Sequence, residues 1–267
     1  MCSSDLTPIF DLSEMLNLLD WSVAADRFMR FGDSADMAKL LIDRSRQIKK
    51  AGRYESRINA QVEPFEDTAK SLGAVTDALA LLRPYDAMTK IDKLDKNIKQ
   101  VASASVHDKR FSPLYRLLEK IDDSYSAFGN PAPEGDDVKI AKTLEQERKL
   151  IFWYRDHGYW VQAVSLAREW LVSWVMYRSG EFDLLNDNSR TKTEFEINSF
   201  THTRSQWEGS GFIASYMDGK KFADLWNEIA NIRNDIDHAG KNTQPNEADS
   251  LIKRMKKQFA ILSEIEI

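Results

Sequence analysis

Apolar side chains recur at spacings of three and four along almost the whole chain, and this period constrains the fold more than any other feature. Leu12, Met15, Leu16, Leu19, Val23 and Phe28 mark a first helix. Gly32, just past Phe31, suits a left-handed helix cap, and Asp33 or Ser34 can then cap a second helix carrying Met37, Leu40 and Leu41. A third helix is expected from about Phe65 to Leu82, with Pro64 in its first turn and Pro84 beyond its end. Met88, Ile91, Leu94, Ile98 and Val101 give a narrow stripe along a polar stretch, as expected of a helix with one packed face. Leu114, Leu117, Leu118, Ile121 and Tyr125 mark a further helix after Pro113.

The clearest break is Gly129-Asn130-Pro131-Ala132-Pro133-Glu134-Gly135-Asp136-Asp137, whose prolines, glycines and acidic neighbours make a linker or long turn. A boundary there divides the chain into residues 1–130 and residues 131–267. Beyond it, residues 139–157 and 159–177 read as helices separated by Gly158, the second carrying Trp160, Val164, Ala167, Leu171 and Trp174 on one stripe. Residues 180–218 read as irregular. Within them Thr193-Glu194-Phe195-Glu196-Ile197 alternates like a short strand, which leaves room for a small β-hairpin insertion. Phe222, Leu225, Trp226, Ile229, Ile232 and Ile236 then form an amphipathic helix ending at Gly240, and a last helix runs from about Asn246 to Ser263. The expected fold class is all-α.

Composition removes several functions. Forty-two Asp and Glu against 37 Lys and Arg give a net charge of −5, so RNA or an anionic membrane would not be coated non-specifically, and nucleic-acid contact requires a local basic patch. The single cysteine, Cys2, excludes an internal disulfide and a thiolate zinc site, and four histidines leave little room for a multi-His metal site. With 11 glycines and no Gly-rich turn between a β-run and a helix, nucleotide-binding α/β folds find no support. No apolar run approaches the roughly 20 residues of a membrane span. No signal peptide is evident, so a cytoplasmic chain is expected.

One constellation carries chemistry: Ile232-Arg233-Asn234-Asp235-Ile236-Asp237-His238-Ala239-Gly240, at the end of an amphipathic helix. Arg233 offers a permanently charged donor fork for phosphate oxygens. His238 supplies an imidazole that can move a proton, near the negative end of the helix dipole. Asn234 lies one turn before His238, within reach of the ring or of a phosphate. The spacing alone is weakly specific. On spacing alone, Arg233 paired with Asp237 at i+4 and His238 as a helix C-terminal cation account for it better.

The Arg233-Asn234-x3-His238 pattern resembles the Arg-x4-6-His signature of HEPN (higher eukaryotes and prokaryotes nucleotide-binding) ribonucleases. Phe152-Trp153-Tyr154, followed by the run from Gly158 through Arg168-Glu169-Trp170, resembles the first long helix of the HEPN nucleases of type III CRISPR systems. Leu6-Thr7-Pro8-Ile9-Phe10-Asp11-Leu12, Leu19-Asp20-Trp21, Ala25-Asp26-Arg27-Phe28 and Phe31-Gly32-Asp33 resemble the segment that follows the sensor domain of those proteins. The chain therefore resembles the CRISPR-associated CARF–HEPN ribonucleases of the Asp-x-Thr-His-Gly group. It departs from them in having no β/α alternation before residue 10 and no Asp-x-Thr-His-Gly motif. Cyclic oligoadenylate, the ligand of the CARF sensor, is thus expected to act only through a domain this chain lacks. The codons for Cys2-Ser3-Ser4-Asp5-Leu6 can match a common sequencing adapter, so a non-native start is expected, which resequencing the locus would test.

The resemblance implies a helical connector over residues 1–130 and a HEPN-type bundle over residues 131–267. It implies a homodimer that cleaves single-stranded RNA without metal or cofactor. Arg233, Asn234 and His238 would be catalytic in a cleft shared by two chains. Lys253, Arg254, Lys256, Lys257 and, in a polar loop, Trp207 are candidates to contact RNA. Arg168, Glu169 and Asp237 are expected to support the structure, the first two as a buried pair beneath the motif helix. His157 is expected to cap a helix, and His107 and His202 to lie on the surface.

Overall fold

A computed structural model describes residues 13–51, 58–105, 112–129, 131–203, 213–241 and 246–267. These residues form ten α-helices: α1 Ser13–Phe31, α2 Ala35–Ala51, α3 Ile58–Ala80, α4 Pro84–Ser105, α5 Ser112–Tyr125, α6 Asp137–Asp156, α7 Trp160–Arg178, α8 Asp187–His202, α9 Gly219–Asp237 and α10 Ala248–Ser263. Among the described residues there is no strand, only one isolated antiparallel bridge between Glu134 and Asp183, so the fold is all-α as expected. No helix among them is long and apolar enough to cross a membrane. Their contacts divide into two units, one of Met1–Leu81 with Lys90–Ser126, the other of Leu82–Thr89 with Ala127–Ile267.

In the first unit the turn between α1 and α2 follows the expected chemistry. Gly32 adopts φ 63° and its N–H reaches the Phe28 carbonyl at 2.7 Å. Thr76 of α3 holds that turn, donating its hydroxyl to the Gly32 carbonyl at 2.6 Å and accepting from the Ser34 N–H at 3.2 Å. Tyr125 of α5 stacks on Phe28 at 4.9 Å and donates its hydroxyl to the Phe28 carbonyl at 2.9 Å. In the part of α4 that belongs to this unit the packed face is the expected one, with Ile91, Leu94, Ile98 and Val101 buried, and Met88, which belongs to the second unit, is buried too. The polar partner of this face is Asn97, whose amide donates to the Ser71 hydroxyl and the Asp67 carbonyl of α3.

Two expectations fail in this unit. Most of the stripe read on α1 points outward: Leu16, Leu19 and Val23 are 61%, 59% and 58% exposed, and of that stripe Phe28 is buried. The buried side is Ala24, Ala25 and Phe28, because small alanines let α1 approach its neighbours closely and Phe28 fills the remaining space. In α3, the helix starts at Ile58, so Pro64 lies inside it rather than in its first turn. Val62, Phe65, Ala69 and Leu72 form one buried stripe across the proline, and this burial outweighs the backbone hydrogen bond that Pro64 cannot make.

The second unit is built around α7, which packs against α6, α8, α9 and α10. Trp170, Trp174 and Trp226 are almost fully buried, each removing roughly 150–250 Å² from water. Their indole N–H groups are satisfied by the Leu144 carbonyl, the Glu266 carbonyl and the Asn198 side chain. These bonds also fix direction. Trp170 meets Leu144 of α6, while on α9 Trp174 stacks near Phe222 and Arg168 covers Trp226, so α6 and α9 run antiparallel to α7. Lys256 of α10 lies over Trp160 at the start of α7, and Glu266 lies beyond Trp174. The end of α6, the start of α7 and the end of α9 therefore share one end of this bundle, and Lys256, at the middle of α10, reaches the same end.

The irregular stretch and the short strand expected between residues 180 and 218 are replaced, over Asp187–His202, by helix α8. Asn186 caps it, accepting from the Ser189 N–H at 3.0 Å. Thr193, Ile197, Phe200 and Thr201 are buried at helical spacing, whereas Phe195, which alternation would place beside Ile197, is 75% exposed. The segment expected as a linker is tied down within this unit. The Ala132 N–H and carbonyl both bond the Thr143 hydroxyl, and the Leu184 N–H reaches the Pro133 carbonyl at 2.9 Å.

Candidate functional site

Helix α9 presents the motif. Asp218 caps its start, accepting from the Lys221 N–H at 2.6 Å. Phe222, Leu225, Trp226, Ile229 and Ile232 bury one face, which turns Arg233, Asn234, Asp237 and His238 toward solvent at the far end. His238 is the residue on which the helix closes, its N–H donating to the Asn234 carbonyl at 3.0 Å. Ala239 and Gly240 follow in left-handed conformations, φ 52° and 67°, and the Gly240 N–H returns to the Asp235 carbonyl at 3.2 Å. A left-handed alanine costs roughly 1–2 kcal/mol, so the turn that aims His238 is held by its surroundings.

Asp235 supplies part of that hold, and sequence reasoning missed it. Its carboxylate, at 9% exposure, accepts from the Asn246 amide at 3.0 Å and so ties the start of α10 to the end of α9. The signal was present: Asp235 stands three residues after Ile232, on the apolar stripe, where a carboxylate needs a partner. The next tie is Arg254, whose Nε donates to Glu228 of α9 at 2.6 Å. Arg254, expected to contact RNA, is thus committed to joining α9 and α10.

Arg233 is half-exposed and its Nε lies 3.5 Å from the Asp237 carboxylate, the i+4 pairing that the spacing allowed. Asn234 and His238 are exposed. A half-exposed ion pair of this kind contributes about 0–1 kcal/mol and opens readily for a competing anion. Lys253 and Lys257 are exposed on α10 and form no ion pair among the described residues. Trp207 and His107 lie outside the described residues. No group of three or more metal-ligating side chains occurs among the described residues.

Arg168 and Glu169 form part of a larger network. Arg168 pairs with Glu169 at 3.0 Å and with Glu194 of α8 at 3.4 Å, and its guanidinium lies 4.9 Å from the Trp226 ring of α9. Glu169 also pairs with Arg190 of α8 at 2.8 Å. Arg168 is largely buried against the motif helix, but the Glu169 side chain is 44% exposed rather than buried as expected. Close by, Glu147 of α6 is buried and accepts from the Tyr85 hydroxyl. Burial is the main cause that pushes its carboxyl up to about 7, with the repulsion of Glu169 adding to it and Tyr85 and Arg190 opposing. His157 closes α6 as expected, its ring nitrogen Nδ1 2.6 Å from the Trp153 carbonyl, and His202 ends α8 on the surface.

No curated protein matches the chain. Residues 17–131, from α1 to the turn after α5, match the family model described as CRISPR-associated protein MJ1674, second domain. The matched residues end before α6, so the candidate site on α9 lies outside them. The match supports a CRISPR-associated affiliation for this chain.

Proposed function

We propose that the chain is an endoribonuclease of the HEPN type that cleaves single-stranded RNA without metal, as part of type III CRISPR antiviral defence. The observation that carries this reading is the grouping of half-exposed Arg233 with exposed Asn234 and His238 at one helix end, with Lys253 and Lys257 exposed on α10, which packs on that helix. The RNA 2′-hydroxyl attacks the adjacent phosphorus and gives up its proton, the P–O5′ bond breaks, and the departing oxygen takes a proton. The products are a 2′,3′-cyclic phosphate and a 5′-hydroxyl. His238 moves protons, Arg233 stabilises charge on the phosphorane-like transition state, and Asn234 orients one or the other. A single Arg and His are sparse for this task, so the cleft is completed by the same helix end of a second copy. Two Arg233 side chains then concentrate positive charge that the net charge of −5 conceals.

His238→Ala and Arg233→Ala are each expected to lower cleavage of single-stranded RNA by at least about 100-fold with the fold intact. Cleavage is expected to persist in EDTA. Full activity of both variants would sink the assignment, and loss in EDTA that magnesium restores would point to other chemistry. A second reading has its own support in the Arg233–Asp237 pair. There the chain is an inactive or unregulated HEPN module that dimerises or binds RNA, and the wild type binds RNA without producing cyclic phosphate ends.

A further inference from the structure

The corner where α6 turns into α7 is unusually aromatic for a solvent-facing site. Trp153, His157, Tyr159 and Trp160 are all half-buried there, neither packed away nor fully exposed. Trp153 lies nearly parallel to His157 at 4.3 Å and to Tyr159 at 6.0 Å. Lys256 of α10 stands 5.8 Å from the Trp160 centroid and Arg155 stands 4.6 Å from that of Phe152, the latter paired with the Asp156 carboxylate at 2.7 Å. Lys253 and Lys257, on the same helix as Lys256, are exposed. This corner shares one end of the bundle with Arg233 and His238, because α6 and α9 both run antiparallel to α7 and Lys256 reaches the start of α7.

We propose that this aromatic and cationic corner is a stacking surface for single-stranded RNA, at the same end of the bundle as Arg233 and His238 of α9. Single-strand binders combine rings that accept any base with cations that track the backbone. Lys256 is placed for both states. Without RNA it rests on the Trp160 face, and a base arriving on that face displaces its ammonium onto the adjoining phosphate. The surface rests on the reading of RNA as substrate and says how the strand is held. Aromatic rings and lysines at one bundle end are otherwise an expensive way to close a three-residue turn, since each half-exposed indole leaves apolar area in water.

The test separates holding from cutting. A fluorescein-labelled 2′-O-methyl RNA of about 12 nucleotides lacks the attacking hydroxyl, so anisotropy with the full chain reads binding alone. Trp160→Leu is expected to weaken binding by about 5-fold or more, the loss of one stacked base. Lys256→Gln, at an exposed position that does not endanger folding, is expected to weaken binding and to reduce the salt slope by about 0.7. Lys192→Gln, at an exposed position of α8, should bind as the wild type does, and a thermal melt checks that Trp160→Leu remains folded. Binding of both corner variants within twofold of the wild type, or no binding by the wild type, overturns the proposal. Weakened binding in a chain that never cleaves RNA keeps the surface and removes the nuclease reading. Intact cleavage with unchanged binding removes the surface alone.

Discussion

At the scale of single residues, Glu147 shows how a side chain can be placed by spacing yet explained only by its neighbours. Its position follows from the period, since Ile140, Thr143, Leu144, Glu147, Ile151 and Tyr154 line one buried face of α6. Its partners come from elsewhere, Tyr85 from α4 and Arg190 from α8, and no local pattern announces them. Its carboxyl is raised from the ordinary 4.5 to about 7, so the folded chain holds a proton that the unfolded chain has released. The associated stability is present at low pH and is lost as pH rises from about 4.5 through about 7. Asp122 in the other unit is pushed up to about 6, chiefly by burial and then by Asp95, and contributes the same sign at lower pH. The slope above pH 6 therefore belongs mostly to Glu147. Glu147→Gln keeps an acceptor for Tyr85 and removes the charge. It is expected to flatten that slope and to gain on the order of 2 kcal/mol at pH 8, read by thermal melts across the range. A variant less stable than the wild type at pH 8 would contradict this account.

At the scale of elements, the helices that could be read were those whose apolar stripe matched their buried face. For α4 the two coincide, and in α5, α7 and α9 all but Leu117, Trp160 and Ile236 of the stripe are buried. Helix α8 was missed because its sequence is mostly polar and its few apolar residues alternate locally, while the cap at Asn186 and the spacing of Thr193, Ile197 and Phe200 were the better signals. In α1 the apolar stripe and the buried face differ, because the close approach is made by alanines that a hydrophobicity pattern weighs lightly. Capping gives the clearest prediction at this scale. Asp218 supplies the only side-chain cap at the start of α9 among the described residues, so Asp218→Ala should lower unfolding stability by about 1 kcal/mol. Because the burial of Trp226 and Ile232 holds the far end of the helix independently, RNA cleavage by the folded variant should change little. A melt unchanged from the wild type would show that the cap contributes nothing there.

At the scale of the whole molecule, the proposed cleft needs two copies of the chain. An excess of Arg233→Ala chains mixed with wild type is therefore expected to lower wild-type RNA cleavage as subunits exchange. Undiminished cleavage in the mixture would mean that each chain carries an independent site. An all-α chain with most helix positions, the outward-facing Arg233-Asn234-x3-His238 run and the glycine that ends its helix are all legible in the residues alone. These follow from local period and turn chemistry, which a short window contains. Which face of α1 is buried, the bond from Arg254 to Glu228 and the anchoring of Asn246 by Asp235 emerge from the packing of the helices. That packing alone brought the aromatic corner of α6 and α7 to the same end as His238. Such pairings join residues far apart in sequence, and their energy comes from desolvation and contact that exist only once the helices have packed.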